Sequence, residues 1–289
     1  MTGVIDVGGG LRGIYGAGIF DYCLDHGIRF DYCIGVSAGS ANIVSYAAGQ
    51  RGRNYYYYHD YSFRKEYMSL SNFLRKRSYL DMDYIYGTLY NADGERPLDY
   101  PAVVRSGLPL RIVATEAGTG RPVYFTEKDL RQDCYDIIKA SCSIPVVNRP
   151  YSIRGIPYYD GGISDPVPVE KAMQDGCDRA VIILTRPIDF YREDGKESFF
   201  ARFIQKKYPA SAELVRHRNA LYRKGLEQAQ KYAAEGRALI IAPKSIYRMG
   251  TLTKDSAVLQ HLYDDALKDA QAIEAFLGRT VPGSRENAG

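Results

Sequence analysis

The first fifty residues alternate between two hydrophobic periods. Short apolar runs, "GVIDV" at 3–7 and "FDYCIGV" at 30–36, read as strands. Each is followed by apolar residues at helical spacing, "IYGAGIFDYCLDHG" at 14–27 and "SANIVSYAAG" at 40–49, and both of these segments stop at a glycine. Strand, helix, strand, helix in that order predicts a parallel sheet covered by helices. From 51 to 100 the rhythm breaks. Charges interleave with aromatics in "RNYYYYHDYSFRKEYMSLSNFL" and "YLDMDYIYGTLYN", and eleven of the chain's 26 tyrosines fall between Tyr55 and Tyr100. The expectation is a set of irregular helices forming a cap or insertion.

Strand signals resume with "LPLRIVATEA" (108–117) and "RPVYFTE" (121–127), a hairpin around Gly118-Thr119-Gly120. "LRQDCYDIIKAS" (130–141) is predicted helical, and "YSIRGIPYYDGG" (151–162) a second hairpin turning at Gly155. "RAVIILT" (179–185) and "ALIIAP" (238–243) are fully apolar, as in strands of a sheet buried on both faces. Charged helices are expected at about 198–208 and 211–234, and a long amphipathic helix at 255–277. Together these predict a three-layer α/β/α sandwich with a mostly parallel central sheet. It forms a single domain over 1–280, with 51–100 as the insertion and 281–289 as a flexible tail. There is no internal repeat.

Composition narrows the class. Hydrophobic residues at 45% and charged residues at 25% are ordinary for a soluble globular protein, and a net charge of +4 is too small to argue for nucleic acid. No apolar run approaches the ~20 residues that span a bilayer, so any membrane contact is expected to be peripheral. The five cysteines are scattered without C-x-x-C spacing, and the first strand begins by residue 3, leaving no room for a signal peptide. A reduced, cytoplasmic protein without disulfides or a metal site is the expectation.

Three short motifs carry candidate chemistry. Gly8-Gly9-Gly10-Leu11-Arg12-Gly13 follows a strand and opens a helix. It satisfies the G-x-G-x-x-G pattern of dinucleotide sites, with Asp25 or Asp31 as the acidic partner by count. The same free N–H groups and helix dipole also suit an oxyanion hole. Gly35-Val36-Ser37-Ala38-Gly39 is G-x-S-x-G, the pattern of a nucleophilic serine on a sharp strand-to-helix turn. Asp160-Gly161-Gly162 ends the run "IPYYD", and alone it reads as an Asp-Gly turn. Ser37 needs a base. Histidine is poorly placed to supply it: His26 closes the first helix, His59 lies in the tyrosine-rich stretch, and His217 and His261 fall within charged helical patterns. A serine–aspartate–histidine triad could still be drawn with His217 or His261.

"GGGLRG", "GVSAGS" and "DGG", in this order and spacing, resemble the patatin-like phospholipases. The similarity extends through "ASCSIPVV" (140–147) and "DPVPVEKA" (165–172), covering residues 3 to about 186. The resemblance implies a lipid acyl hydrolase without metal or organic cofactor. Ser37 would be the nucleophile, Asp160 the base in a dyad without histidine, and the 8–13 turn the oxyanion hole. The residues agree: reactive loops gather at the carboxyl ends of parallel strands, so the glycine turn and the elbow become neighbours, and Ala38 adds an N–H. Arg12 either pairs with a carboxylate or holds a lipid phosphate. Asp6 reads as a satisfied strand-end carboxylate, Asp165 as a helix cap, and Ser141 and Ser143 as pocket wall.

The expected function is hydrolysis of phospholipid or lysophospholipid esters. The rivals are a carboxylesterase acting on small soluble esters and a nucleotide- or lipid-binding module built on the glycine turn. Residues 51–100, helped by Phe199, Phe200, Phe203 and Ile204 on one face of the 198–208 helix and by Arg202, Lys206 and Lys207, are expected to form a lipid-facing entrance. Nothing in the sequence sets an oligomeric state.

Overall fold

A computed structural model describes residues 1–190 and 196–278; the predicted tail at 281–289 lies outside the described residues. The chain runs β1 (Thr2–Asp6), α1 (Ile14–Asp25), β2 (Tyr32–Val36), α2 (Ala38–Ala47), α3 (Arg53–His59), α4 (Leu70–Lys76) and α5 (Tyr100–Ser106). It continues with β3 (Leu110–Glu116), β4 (Pro122–Thr126), α6 (Asp136–Ser141), β5 (Tyr151–Ile153), β6 (Ile156–Asp160), α7 (Val169–Gln174) and β7 (Arg179–Ile183). α8 (Lys196–Gln205), α9 (Pro209–Ala234), β8 (Ala238–Ile241), α10 (Ser256–Asp269) and α11 (Ala272–Phe276) follow.

The sheet is mixed and mostly parallel. β8, β7, β1, β2 and β3 are parallel neighbours in that order, while β3 pairs antiparallel with β4 and β6, and β6 with β5. β1 and β2 sit at its centre and are buried almost throughout, which is why both read as apolar runs. One large core packs α1, α2, the tyrosine-rich segment and α10 on one face; a second packs α7 and α9 on the other. Every predicted strand is present.

Three expectations change. The helix predicted over 130–141 is confined to Asp136–Ser141, because Arg131 and Cys134 close a turn on each other and Asp133 takes φ 57°. The helix predicted over 255–277 is broken after Asp269, where the Gln271 and Ile273 amides bond three residues back. The break directs Ile273 inward and brings Glu274 Oε1 to 2.6 Å from the Tyr22 hydroxyl, which donates to it.

The third change concerns the tyrosines, six of which are core where an entrance surface was expected. Tyr57, Tyr58, Tyr61, Tyr67, Tyr86 and Tyr90 are buried, and edge-on ring contacts run from Tyr57 to Tyr90 and on to Tyr86 and Tyr135. The expectation of an exposed boundary rested on the cost of burying hydroxyls, but several of those hydroxyls find partners inside the fold. Tyr58 donates to the Ala38 carbonyl at 3.2 Å and to Asn42 Oδ1 at 3.0 Å, and Tyr57 to the Arg96 carbonyl at 3.0 Å. Each such bond offsets its own desolvation and contributes about 1 kcal/mol net.

Candidate active site

The register of β3 brings the serine and the aspartate together. β4 pairs with β3 from Arg111 to Thr115, so β2, which pairs from Leu110 to Val113, must lie on the opposite edge. β6 pairs at Ala114–Glu116, overlapping β4, and so takes the edge that β2 has just left. Val36 faces Val113 and Asp160 faces Ala114, which places Ser37 and Asp160 end to end on consecutive rungs.

Ser37 has φ 56° and ψ −128°, the strained left-handed turn of a strand-to-helix elbow. Gly35 and Gly39 permit it by close approach: a Cβ on Gly35 would lie 2.6 Å from the Ser40 amide, and one on Gly39 would lie 2.8 Å from the Asp6 side chain. The Ser37 amide donates to Ser141 Oγ at 2.9 Å, and that hydroxyl donates to the Val113 carbonyl at 2.6 Å. Ser143 donates its hydroxyl to the Lys139 carbonyl, while its own carbonyl accepts the Asp160 amide at 2.9 Å. Neither serine lines a cavity beside Ser37, contrary to the expectation of pocket wall. Ser141 anchors Ser37 to β3, and Ser143 ties Asp160 to the end of α6; the sequence signal was there in the small-residue run "ASCS".

Asp160 is buried, and its Oδ1 accepts the Gly162 amide at 2.7 Å. Burial pushes its carboxyl above the usual range, while a hydrogen bond from Ser37, the charge of Arg218 and the Gly162 amide pull it partly back. A carboxylate made more basic in this way is better suited to accept a hydroxyl proton.

The glycine turn lies against the elbow, with a Cβ on Gly8 reaching 2.9 Å from the Gly39 amide. Its donors are not equivalent. The Gly8 amide is committed to Asp6 Oδ1 at 2.8 Å and the Leu11 amide to the Thr251 carbonyl at 2.9 Å, whereas the Gly9, Gly10 and Ala38 amides have no acceptor among the described residues. Asp6 is the brace expected of it: wholly buried, bonded by Asn42 Nδ2 at 2.8 Å, and pushed up to about 6 by desolvation. Arg12 is buried and lines the cavity in front of Ser37. Asp165 caps no helix; it accepts the Tyr124 hydroxyl at 2.6 Å, and α7 starts after Pro168 without a side-chain cap.

Asp31 accepts the Thr2 amide at 2.7 Å, at the opposite end of β1 from the glycine turn, and Asp25 pairs with Arg51. Neither acid stands where a ribose bound at the turn would need it. The histidines lie elsewhere too. His217 is exposed and bonds Glu213 at 2.8 Å, the His261 ring lies tilted 5.8 Å from that of Tyr247, and among the described residues no histidine lines either cavity at Ser37.

Two cavities meet at Gly10, Ser37 and Ile144. One, of about 90 Å³, is lined by charged as well as apolar residues and reaches the ends of β1 and β7 and the face of α9. The other, of about 30 Å³, is walled by Tyr58, Tyr67, Leu80, Met82, Ile85 and Tyr86 among others. Three tyrosines of the 51–100 stretch, Tyr58, Tyr67 and Tyr86, thus wall the cavity next to Ser37.

The fold is an α/β fold with a mixed, mostly parallel central sheet. The chain belongs to the patatin-like phospholipase family, whose profile matches residues 7–173. A second profile, a domain of unknown function named DUF6363, matches residues 208–279. The chain is 32% identical over 189 residues to the uncharacterized protein YjjU of Escherichia coli (strain K12), covering 64% of this chain and about half (52%) of that relative. A solved structure, VipD from Legionella pneumophila, aligns over 94% of this chain and 67% of its own at a TM-score of 0.42 and 13% identity.

Proposed function

We propose that this chain is a lipid acyl hydrolase in which Ser37 and Asp160 act as a catalytic dyad. The observation that carries the proposal is the β3 register, which sets the two side chains on adjacent rungs in the wall of one cavity, with an apolar cavity meeting it at Ser37. In the first step Ser37 Oγ attacks the ester carbonyl carbon and its proton passes to Asp160. The carbonyl oxygen takes the negative charge and is met by the free amides of Gly9, Gly10 and Ala38. The carbon–oxygen bond to the alcohol then breaks, and the alcohol leaves with the proton held on Asp160. Water attacks the acyl-serine, again giving its proton to Asp160. The acid departs as Ser37 takes that proton back. The test is labelling with a fluorophosphonate probe and peptide mapping: the adduct is expected on Ser37, absent in Ser37→Ala, and labelling elsewhere or none at all overturns the assignment.

Family membership implies a lipid substrate, and a surface suited to reach one is α8. No helix among the described residues is long and apolar enough to cross a membrane. On α8, however, Phe199, Phe200 and Phe203 are 57%, 42% and 63% exposed, with Arg202, Lys206 and Lys207 also exposed nearby. Ile204, expected on the same face, instead packs inward with Ala201 against α9. An apolar ridge flanked by cations suits insertion at an anionic bilayer surface. Replacing the three phenylalanines with serine is expected to leave the melting temperature within a few degrees. Hydrolysis of phospholipid in anionic vesicles should fall at least about tenfold relative to a soluble short-chain ester. An unchanged ratio would remove α8 from membrane contact.

A further inference from the structure

The glycine turn is pinned from outside itself. Gly8, Gly9 and Gly10 take φ 64°, 131° and 62° in succession, a path that no regular backbone pattern stabilises. The Gly8 amide donates to Asp6 Oδ1 at 2.8 Å, the Gly8 carbonyl accepts the Thr185 hydroxyl, and the Leu11 amide donates to the Thr251 carbonyl at 2.9 Å. Of these partners Asp6 is the ionisable one, and it is wholly buried. Its carboxyl sits in a close cage. A Cβ on Gly16 of α1 would collide with Oδ2, and one on Gly39 of the elbow would lie 2.8 Å from Oδ1. Asn42 of α2 donates from Nδ2 to Asp6 Oδ2 at 2.8 Å and to the Gly13 carbonyl at 2.9 Å, while its Oδ1 accepts the Tyr58 hydroxyl at 3.0 Å. Tyr58 also donates to the Ala38 carbonyl. A chain of buried hydrogen bonds thus runs Tyr58–Asn42–Asp6–Gly8 and touches both ends of the turn as well as the elbow.

We propose that Asp6 is a positioning residue for the oxyanion hole: its carboxylate, held by Asn42, fixes the Gly8 peptide against the elbow and so aims the Gly9 and Gly10 amides at the carbonyl oxygen of the ester that Ser37 attacks. This rests on the acyl-hydrolase reading and adds to it a residue that lines neither cavity at Ser37 and acts through the turn. An N–H stabilises an oxyanion best when it is already pointed as the charge develops, because reorienting a loose peptide would cost part of what the bond gives. A carboxylate suits the task. It accepts on both oxygens at once, from Gly8 and from Asn42, whereas a side-chain amide accepts on one only. A proton on this carboxyl removes the charge from both acceptors and places a hydrogen among donors. Desolvation raises the Asp6 pKa to about 6, with the Asn42 and Gly8 hydrogen bonds opposing, so the acceptor pair is complete above that pH and is lost as the pH falls through it. Around Asp6 the packed elements bring Gly35 of β2, Ile183 of β7, Gly16 of α1, and Gly39 and Asn42 of α2, none of them ionisable. The titratable group facing it is Tyr58. Burial raises that phenol well above its usual value and the Asp6 charge adds to this, so Tyr58 stays protonated throughout.

The experiment uses the full chain and 4-nitrophenyl butyrate, with product separated by chromatography so that pH does not alter the signal. Rates are divided by the fraction of Ser37 that a fluorophosphonate labels at completion. Asp6→Asn is expected to lower kcat about 100-fold, the scale of one oxyanion donor, with KM within about threefold of wild type. The wild-type profile of kcat against pH should contain a step centred near 6 besides the limb of Asp160, and Asp6→Asn should lack that step. Asn42→Ala keeps the test alive if Asp6→Asn does not fold, since it leaves both acids in place. Removing a hydrogen bond that lowers the Asp6 pKa should move the step up by about one pH unit. A packing defect alone lowers the rate or the melting temperature without moving a midpoint. Wild-type kcat in Asp6→Asn overturns the proposal. So does a loss carried by KM, a lowered kcat whose profile keeps the step, or an Asn42→Ala profile with the step unmoved. If the wild type cleaves no ester and Ser37 takes no fluorophosphonate, the hydrolase reading itself fails. A labelled, active wild type indifferent to Asp6 fails only the positioning role.

Discussion

Ser37→Ala and Asp160→Asn are each expected to lower kcat on a soluble ester by about 10⁴-fold or more, the scale seen when a member of a nucleophile–base pair is removed. His217→Ala and His261→Ala should retain the wild-type rate within about twofold, since both residues lie outside the cavities at Ser37. Loss of catalysis with either histidine variant would replace the dyad with a triad. Asp160→Asn carries a second signature. Burial raises the folded-state pKa above 3.8, so the carboxyl's contribution to stability is fully present below 3.8 and is lost as the pH rises through the folded value. Above that value the ionised Asp160 therefore destabilises the fold. The asparagine variant, which can still accept the Gly162 amide, should melt at or above the wild-type temperature while being inactive. In the wild type the same titration gives kcat an acidic limb that rises with pH and has its midpoint above 3.8. A melting temperature that drops sharply in Asp160→Asn would mean that this carboxylate is held for structure.

The parts of this site that sequence made legible are those written in short-range pattern. β1, β2 and their helices announce themselves by hydrophobic period, and the glycines at 8–10, 35 and 39 by motif spacing. The meeting of Ser37 with Asp160 is not local. It depends on β6 entering antiparallel on the edge of β3 that β2 vacates, a pairing between residues over forty positions apart that no periodicity encodes. Arg218 and Arg223, which line the cavity from α9, were hidden for another reason. α9 carries many charges, and on a long charged helix a basic residue reads as solvated surface until the sheet shows which stripe faces the cavity. The tyrosines misled in the opposite direction. Counted as amphipathic rings they suggested an interface, but backbone carbonyls such as those of Ala38 and Arg96 satisfy their hydroxyls inside the fold. Arg64 stacks at the edge of the same cluster, 4.2 Å from the Tyr61 ring.

Gly9→Val is expected to cut kcat by about 10²- to 10³-fold, the loss of roughly 2.7–4 kcal/mol that follows removal of one oxyanion-hole donor. Gly9 has φ 131° and ψ 36°, a conformation closed to L-residues with a Cβ, so the substitution must rotate the peptide that aims its N–H toward the site. The new Cβ would also lie 2.5 Å from Thr185 Oγ1 and 3.2 Å from Arg12 Nη2, pressing on the residues that frame the cavity. Because Gly9 itself lies beyond β1 and has no side chain in either core, although Leu11 two residues on does, the damage should stay local: circular dichroism is expected to be unchanged and the melting temperature to fall by only a few degrees. A Gly10 substitution should be harsher, since its Cβ would meet the Thr251 side chain at 2.6 Å and disturb the loop whose carbonyl accepts the Leu11 amide. The same variants separate the oxyanion reading from the nucleotide one. If the turn cradles an oxyanion, calorimetry with NAD or NADP gives no heat in wild type or variant, and kcat falls with little change in KM. Micromolar dinucleotide binding that disappears with Gly10 would return the turn to a cofactor role, and a Gly9→Val enzyme of wild-type rate would take its N–H out of the reaction.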